Sequence, residues 1–198
     1  MYRRSLSLLA VVAALLVLVP AALAARVHVR VEGKTQTIFG SAEPTLNVKA
    51  NALDALESAS LAGEFYYHVT VTGFGPYVDQ IGRYPATASS GWVFKVNGIS
   101  PPVGADAVTL KAGDRVLWYW ADFGPNGGPP TLALKRASRN CYRVLAQDDS
   151  GKTTVAAGAV LHVGGRSVRT RKGAACVGRH RGLVKATLAG AVRSNALA

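Results

Sequence analysis

Cys141 and Cys176 are the chain's only cysteines, and their isolation decides what chemistry they can do. A tetrahedral metal site needs a close CxxC pair or histidine companions, and neither is present. In an exported chain such a pair reads as a disulfide. The four histidines, His28, His68, His162 and His180, do not cluster, and the first two fall on the polar phase of separate alternating runs. Carboxylates number eleven, and Asp106, Asp114 and Asp149 have turn surroundings. No Gly-x-Ser-x-Gly elbow, His-Glu-x-x-His helix or complete phosphate-cradling Gly-x-x-x-x-Gly-Lys-Ser/Thr loop occurs. These residues predict a protein that is not an enzyme and carries no metal or other cofactor.

Recognition chemistry is better represented. Trp118 and Trp120 share a strand face with Val116, while Leu117 and Tyr119 occupy the other. A strand apolar on both faces is central or covered, so Trp92 and Trp118 are expected in the core. Tyr119 and Trp120 lie near the strand end and a Gly/Pro loop. With Tyr77 and Tyr84, on the irregular segment 73–90, they are the candidate ligand-binding residues. A second constellation is basic: Arg166, Arg169, Arg171, Lys172, Arg179 and Arg181 could meet anionic envelope polymers. The same charges equally describe a solvated exterior that keeps copies apart. No aromatic residues interleave these cations as stacking platforms, so nucleic acid is not an expected partner.

The elements that must position these residues follow from the chain's punctuation. Arg3 and Arg4, the apolar run from Leu6 to Val19 and Ala22-Leu23-Ala24 form the three-part layout of a signal peptide over residues 1–24. The apolar run is shorter than a membrane span needs. The mature chain is therefore expected outside the cytoplasm, secreted or at the cell surface, with no transmembrane segment. Between Arg26 and Leu134 eight cations meet nine carboxylates, whereas beyond Leu134 thirteen cations meet only Asp148 and Asp149. The change of character falls at the Gly/Pro stretch 124–130, read as a linker between a domain over 25–123 and a basic one over 131–198.

In the first domain Val27, Val29 and Val31 alternate as a half-buried strand, with a partner over 35–39. Asn47 can cap a helix starting at Val48, with Ala52, Leu53, Leu56 and Ala59 on its apolar face. Strands follow over 66–71 and 92–96. Asn97-Gly98 is a hairpin signal whose return strand is expected over 108–110, with a last strand over 115–121. One helix across a mixed sheet is the layout of a β-grasp-like α+β module.

Ala52-Leu53-Asp54-Ala55-Leu56, then Gly91-Trp92-Val93-Phe94-Lys95-Val96-Asn97-Gly98, Gly104-Ala105-Asp106 and Lys111-Ala112-Gly113-Asp114-Arg115-Val116-Leu117-Trp118 resemble the transcobalamin-like C-terminal domain over about residues 27–122. That family occurs in secreted bacterial proteins and as the small β-rich domain of animal cobalamin carriers. There it closes over cobalamin held against a large helical barrel, for which this sequence has no counterpart. The resemblance implies a ligand-binding module, with cobalamin a less favoured occupant.

Beyond the linker, turn signals every eight to twelve residues suggest a small sandwich, loosely similar to carboxypeptidase-regulatory or immunoglobulin-like modules. Strands are expected over 141–146, 153–156, 159–163, 167–170, 174–177 and 182–188. The fold expected is thus mostly β: a β-grasp-like domain with one helix, then a small basic β-sandwich closed by one disulfide. The function expected is recognition of a small ligand or a cell-surface partner. The alternative is a structural or adhesive envelope protein whose basic domain binds anionic wall polymers.

Overall fold

A computed structural model describes residues 24–124 and 127–198. The leader expected over residues 1–24 lies, but for Ala24, outside the described residues. What is described is mostly β with one α-helix, as the residue pattern implies.

The first module is built on a mixed sheet. Strand β1 (Ala25–Glu32) pairs antiparallel with β2 (Thr37–Phe39) and β3 (Thr45–Val48), and parallel with β8 (Arg115–Asp122). Strand β7 (Ser90–Val96) pairs antiparallel with β8 and closes the order β2-β1-β8-β7. The return strand expected over 108–110 is instead β8. Val96 turns through Asn97 (φ 52°) and Gly98 (φ 86°) to a single bridge at Ile99, and the Pro101-Pro102 pair cannot continue a ladder.

Helix α1 (Ala52–Gly63) lays Ala52, Ala55, Leu56 and Ala59 against the sheet. Its cap is Asn51 rather than Asn47: the Asn51 side chain accepts from the Asp54 amide while the Asp54 carboxylate accepts from the Asn51 amide. Residues 45–48 are drawn into β3 because β1 offers them a free edge. A small second sheet, β4 (Tyr67–Thr72), β5 (Gly75–Ile81) and β6 (Tyr84–Pro85), sends Val78 and Ile81 into the same core.

The second module has two sheets around its own core. One joins β9 (Thr131–Ser138), β10 (Cys141–Gln147), β11 (Thr153–Val155) and β14 (Ala174–Cys176). The other joins β12 (Val160–Val163), β13 (Arg166–Arg169) and β15 (Lys185–Thr187). Leu132, Leu134, Tyr142, Val144, Leu161 and Val163 fill the space between them. The segment expected to be strand over 182–188 is strand only across 185–187, with a single further bridge from Val184 to Leu197. Strand β9, which pairs along the length of β10, has no counterpart among the strands expected from sequence. The Cys141–Cys176 disulfide links directly opposed residues of β10 and β14.

The modules meet along the outer face of β8. Leu117, Tyr119 and Ala121 pack with Val192 and Val93 in a small apolar seam. Arg30 and Glu32, on the polar phase of β1, are not solvated as their alternation suggests; they are buried where the second module covers that face. Glu32 accepts from Arg30, Lys185, Arg193 and Thr37, so its charge is fully neutralised by groups from both modules.

Candidate ligand cleft at the junction of the modules

Strand β7 is the last strand of its sheet, and its alternation dictates what its edge offers. The amide of Val96 donates to Ile99, and the carbonyl of Ser90 accepts from Thr87, both away from β8. Even-numbered residues therefore aim their backbone groups outward, and odd-numbered ones aim at β8. Trp92 and Phe94 lie between these anchored ends. Among the described residues, neither their amides nor their carbonyls have a hydrogen-bond partner on that side. Unpaired strand edges of this kind are recognition templates.

This edge opens into a cleft of about 270 Å³. Pro76, Tyr77 and Val78 of β5 form one wall, and Trp92, Val93 and Phe94 the other; the 100–105 loop and Phe123 close the ends. Phe94 stacks on the buried indole of Trp118 with ring centres 5.1 Å apart, which holds its ring in place as an aromatic floor beneath the edge. Tyr77 and Phe123 remain 39% and 47% exposed at the mouth.

The second module supplies the polar end. Asp149, in the β10–β11 turn, lines the cleft. Its Oδ1 accepts from Ser100 Oγ at 3.0 Å and Tyr119 Oη at 3.5 Å, and it lies 3.3 Å from Lys95 Nζ. Lys95 is buried, and Thr131 Oγ1 and the carbonyls of Gln147 and Asp148 complete its shell. Burial pulls the Lys95 ammonium below its ordinary pKa, and the Asp149 carboxylate works against that shift. The cleft thus combines stacked aromatics, two residues' worth of open backbone and a carboxylate end. That set suits an apolar, planar ligand bearing amide or hydroxyl groups.

Of the residues singled out by sequence, the structure brings together Tyr77 and Tyr119 but not Tyr84 and Trp120. Tyr84 bonds to Thr35 and packs against Trp92 and Trp120 on the helix side. Trp120 is only 8% exposed, its indole edge-on to Trp92 at 5.7 Å. The expectation that the strand end leaves Tyr119 and Trp120 open is corrected, because the second module seals one face and the core the other. Tyr119 keeps contact with the cleft while remaining buried. Phe94, Phe123, Ser100 and Asp149 line the cleft but are not among the candidate ligand residues that the sequence offers, where Asp149 reads as a turn residue. The strand alternation marks Phe94 as apolar, but only the topology shows that its strand is an edge.

All six basic residues named from sequence are exposed. Arg166 donates to the Arg179 carbonyl at one end of β13, and Arg169, Arg171 and Lys172 lie at the other. His68 and Asp79 pair on the exposed hairpin, and His162 bonds to Ser167 and Thr187; neither pair adjoins the cleft.

Tyr119 gives the site a pH signature. Burial first, and the nearby Asp149 charge second, push its phenol far above the ordinary value of 10.0. Tyr67, partly buried and bonded to Glu57, is pushed up to about 12. In both cases the folded chain keeps a proton that the unfolded chain releases. The stability these groups contribute is full below about pH 10 and is lost as pH rises through the folded values. Tyr119→Phe should flatten the alkaline loss of urea midpoint, leaving the smaller slope from Tyr67; unchanged slopes would contradict this placement.

Residues 50–122 match the family model described as "Domain of unknown function (DUF4430)". The match begins at the α1 cap and ends with β8, so it includes the β7 edge and the aromatic wall of the cleft but none of the second module. No curated protein matches the chain.

Proposed function

We propose that this chain is an exported, non-enzymatic binding protein whose ligand lies in the cleft between β5 and β7. The observation that carries this reading is the pair of unpaired edge residues, Trp92 and Phe94, facing a cavity with an aromatic floor. Two amides and two carbonyls open beside apolar walls give a ligand four hydrogen-bonding groups already aligned along a strand edge. The ligand class that fits has a flat apolar body for the Phe94–Trp118 stack and amide-like groups for the strand edge. A short extended peptide end meets both demands by strand addition.

The transcobalamin-like motifs support the same reading, since they include the Gly91–Gly98 segment that forms the edge. Cobalamin itself is a member of the test panel rather than the favoured ligand, because the described residues hold one α-helix and no barrel to press it against. The single cleft carboxylate, Asp149, is held by Lys95, Ser100 and Tyr119, which suits positioning better than acid–base work. Export is supported by the leader-like residues 1–24 and by the disulfide. Among the described residues no helix is long and apolar enough to cross a membrane.

Tryptophan fluorescence titrated with N-acetyltryptophanamide, short capped peptides, cobinamide, cobalamin and a glycan panel tests the proposal. A saturable change is expected for the amide-bearing aromatic members. Tyr77→Ala, at a partly exposed wall, should weaken it about tenfold without unfolding the protein. Flat responses throughout would remove small-ligand binding.

A further inference from the structure

The register of the second module places like charges side by side. Lys135 of β9 stands directly opposite Arg143 of β10, and Arg143 stands opposite Ala174 of β14. Ala174 in turn bridges to Arg171 across the tight turn Lys172-Gly173, where both residues are left-handed (φ 47° and 73°). Directly opposed residues of an antiparallel ladder share a face. Lys135, Arg143 and Arg171 therefore form one row across β9, β10 and β14 to the turn that precedes β14, and all three are exposed. Lys135 and Arg143 side chains start about 5 Å apart, with Arg171 roughly 10 Å further on. Cys141 and Cys176 form the adjacent pair on the same face, so the disulfide pins the strands that carry the row.

Nothing in the second module neutralises this row. Its only acidic side chains are Asp148 and Asp149, both in the β10–β11 turn by the cleft. Among the described residues, the second module's only cations in salt bridges are Lys185 and Arg193, both bound to Glu32 of the first module. Opposed like charges destabilise a ladder. A partner of opposite charge would convert that cost into affinity.

We infer that this face binds a linear polyanion whose repeating charge is a phosphate or a carboxylate, through Lys135, Arg143 and Arg171. Charge complementarity selects the sign of the partner. The module's one aromatic residue, Tyr142, is buried, so the face has no ring to stack bases or to sit at a lipid interface. That favours a polymer in solution or on a surface over nucleic acid or a bilayer. This site lies apart from the cleft and stands whether or not the cleft binds a ligand.

The test uses the full oxidised chain with long-chain polyphosphate and, separately, polygalacturonate; the stronger binder identifies phosphate or carboxylate as the charge. Three oxyanion contacts predict that affinity falls about twentyfold between about 50 and 200 mM salt. K135Q/R143Q/R171Q should lose on the order of 100-fold at low salt, about fivefold per cation. The charge-matched K34Q/K49Q/K111Q, all in the first module, should bind within about threefold of the parent. Arg143→Gln alone should raise Tm by about 1–3 °C by relieving the opposed charges. The inference is overturned if the ladder variant binds like the parent or if the charge-matched control loses as much. It is equally overturned if vesicles of phosphatidylglycerol and phosphatidylcholine in equal parts bind more tightly than either polymer.

Discussion

Glu32→Ala should lower the stability of the whole chain by about 3–5 kcal/mol, the usual cost of removing one partner from a buried ionic cluster. Glu32 is fully buried and receives the charges of Arg30, Lys185 and Arg193, whose side chains are 4%, 17% and 20% exposed. Without the carboxylate three cations face one another in a desolvated seam, with Glu43 the only remaining carboxylate partner, for Arg30. For a chain of this size that loss corresponds to a fall in Tm of roughly 10 °C. The seam also holds the second module in place, so the cleft should loosen as Asp149 withdraws from Ser100 and Tyr119. Any ligand found by titration should therefore bind Glu32→Ala less tightly, although residue 32 touches no part of the cleft. Calorimetry gives the first result and the titration the second. A Tm within about a degree of the parent would mean that the cluster is not the hinge pin of the junction.

Removing the disulfide should be nearly as damaging. The bridge spans 35 residues of sequence. Constraining an unfolded loop of that length contributes about 3–4 kcal/mol in the chain-entropy account. The second module needs it, because its core is small and includes one aromatic side chain, Tyr142. Cys141→Ser/Cys176→Ser should lower the guanidinium midpoint of the second module, while the first, with its separate core, is affected less. Denaturation followed by tryptophan fluorescence for the first module and by exchange of the Val144 and Leu161 amides for the second separates the two. Equal midpoints with and without the bridge would show that β10 and β14 are held by packing alone.

Much of this arrangement could be read from residues because local chemistry dictated it. The Val27-Val29-Val31 alternation, the Ala/Leu face of α1 and the doubly apolar β8 each have one way to be buried, and each is buried that way. The lone cysteine pair likewise had one simple outcome. What was not legible depended on partners distant in sequence. Asn47 and Asn51 are equally good caps, and the choice between them fell to β3 pairing with β1. Arg30 and Glu32 alternate like solvent-facing residues, yet Lys185 and Arg193, more than 150 positions away, meet them across the seam. Trp120 and Tyr119 looked open because a Gly/Pro loop follows them, and a layer from elsewhere covers both faces. The cleft was hidden for the same reason. Phe94 reads as an ordinary inward residue until its strand is seen to end the sheet.

Amide hydrogen exchange at Trp92 and Phe94 reaches the heart of the matter. In the free protein these two amides should exchange far faster than those of Val93 and Lys95, which bond to β8. Saturation with a ligand from the titration panel should slow both by tenfold or more, with Val93 and Lys95 unchanged. Slow exchange at Trp92 and Phe94 in the free protein, or no protection by any member of the panel, would contradict a binding cleft on the β7 edge.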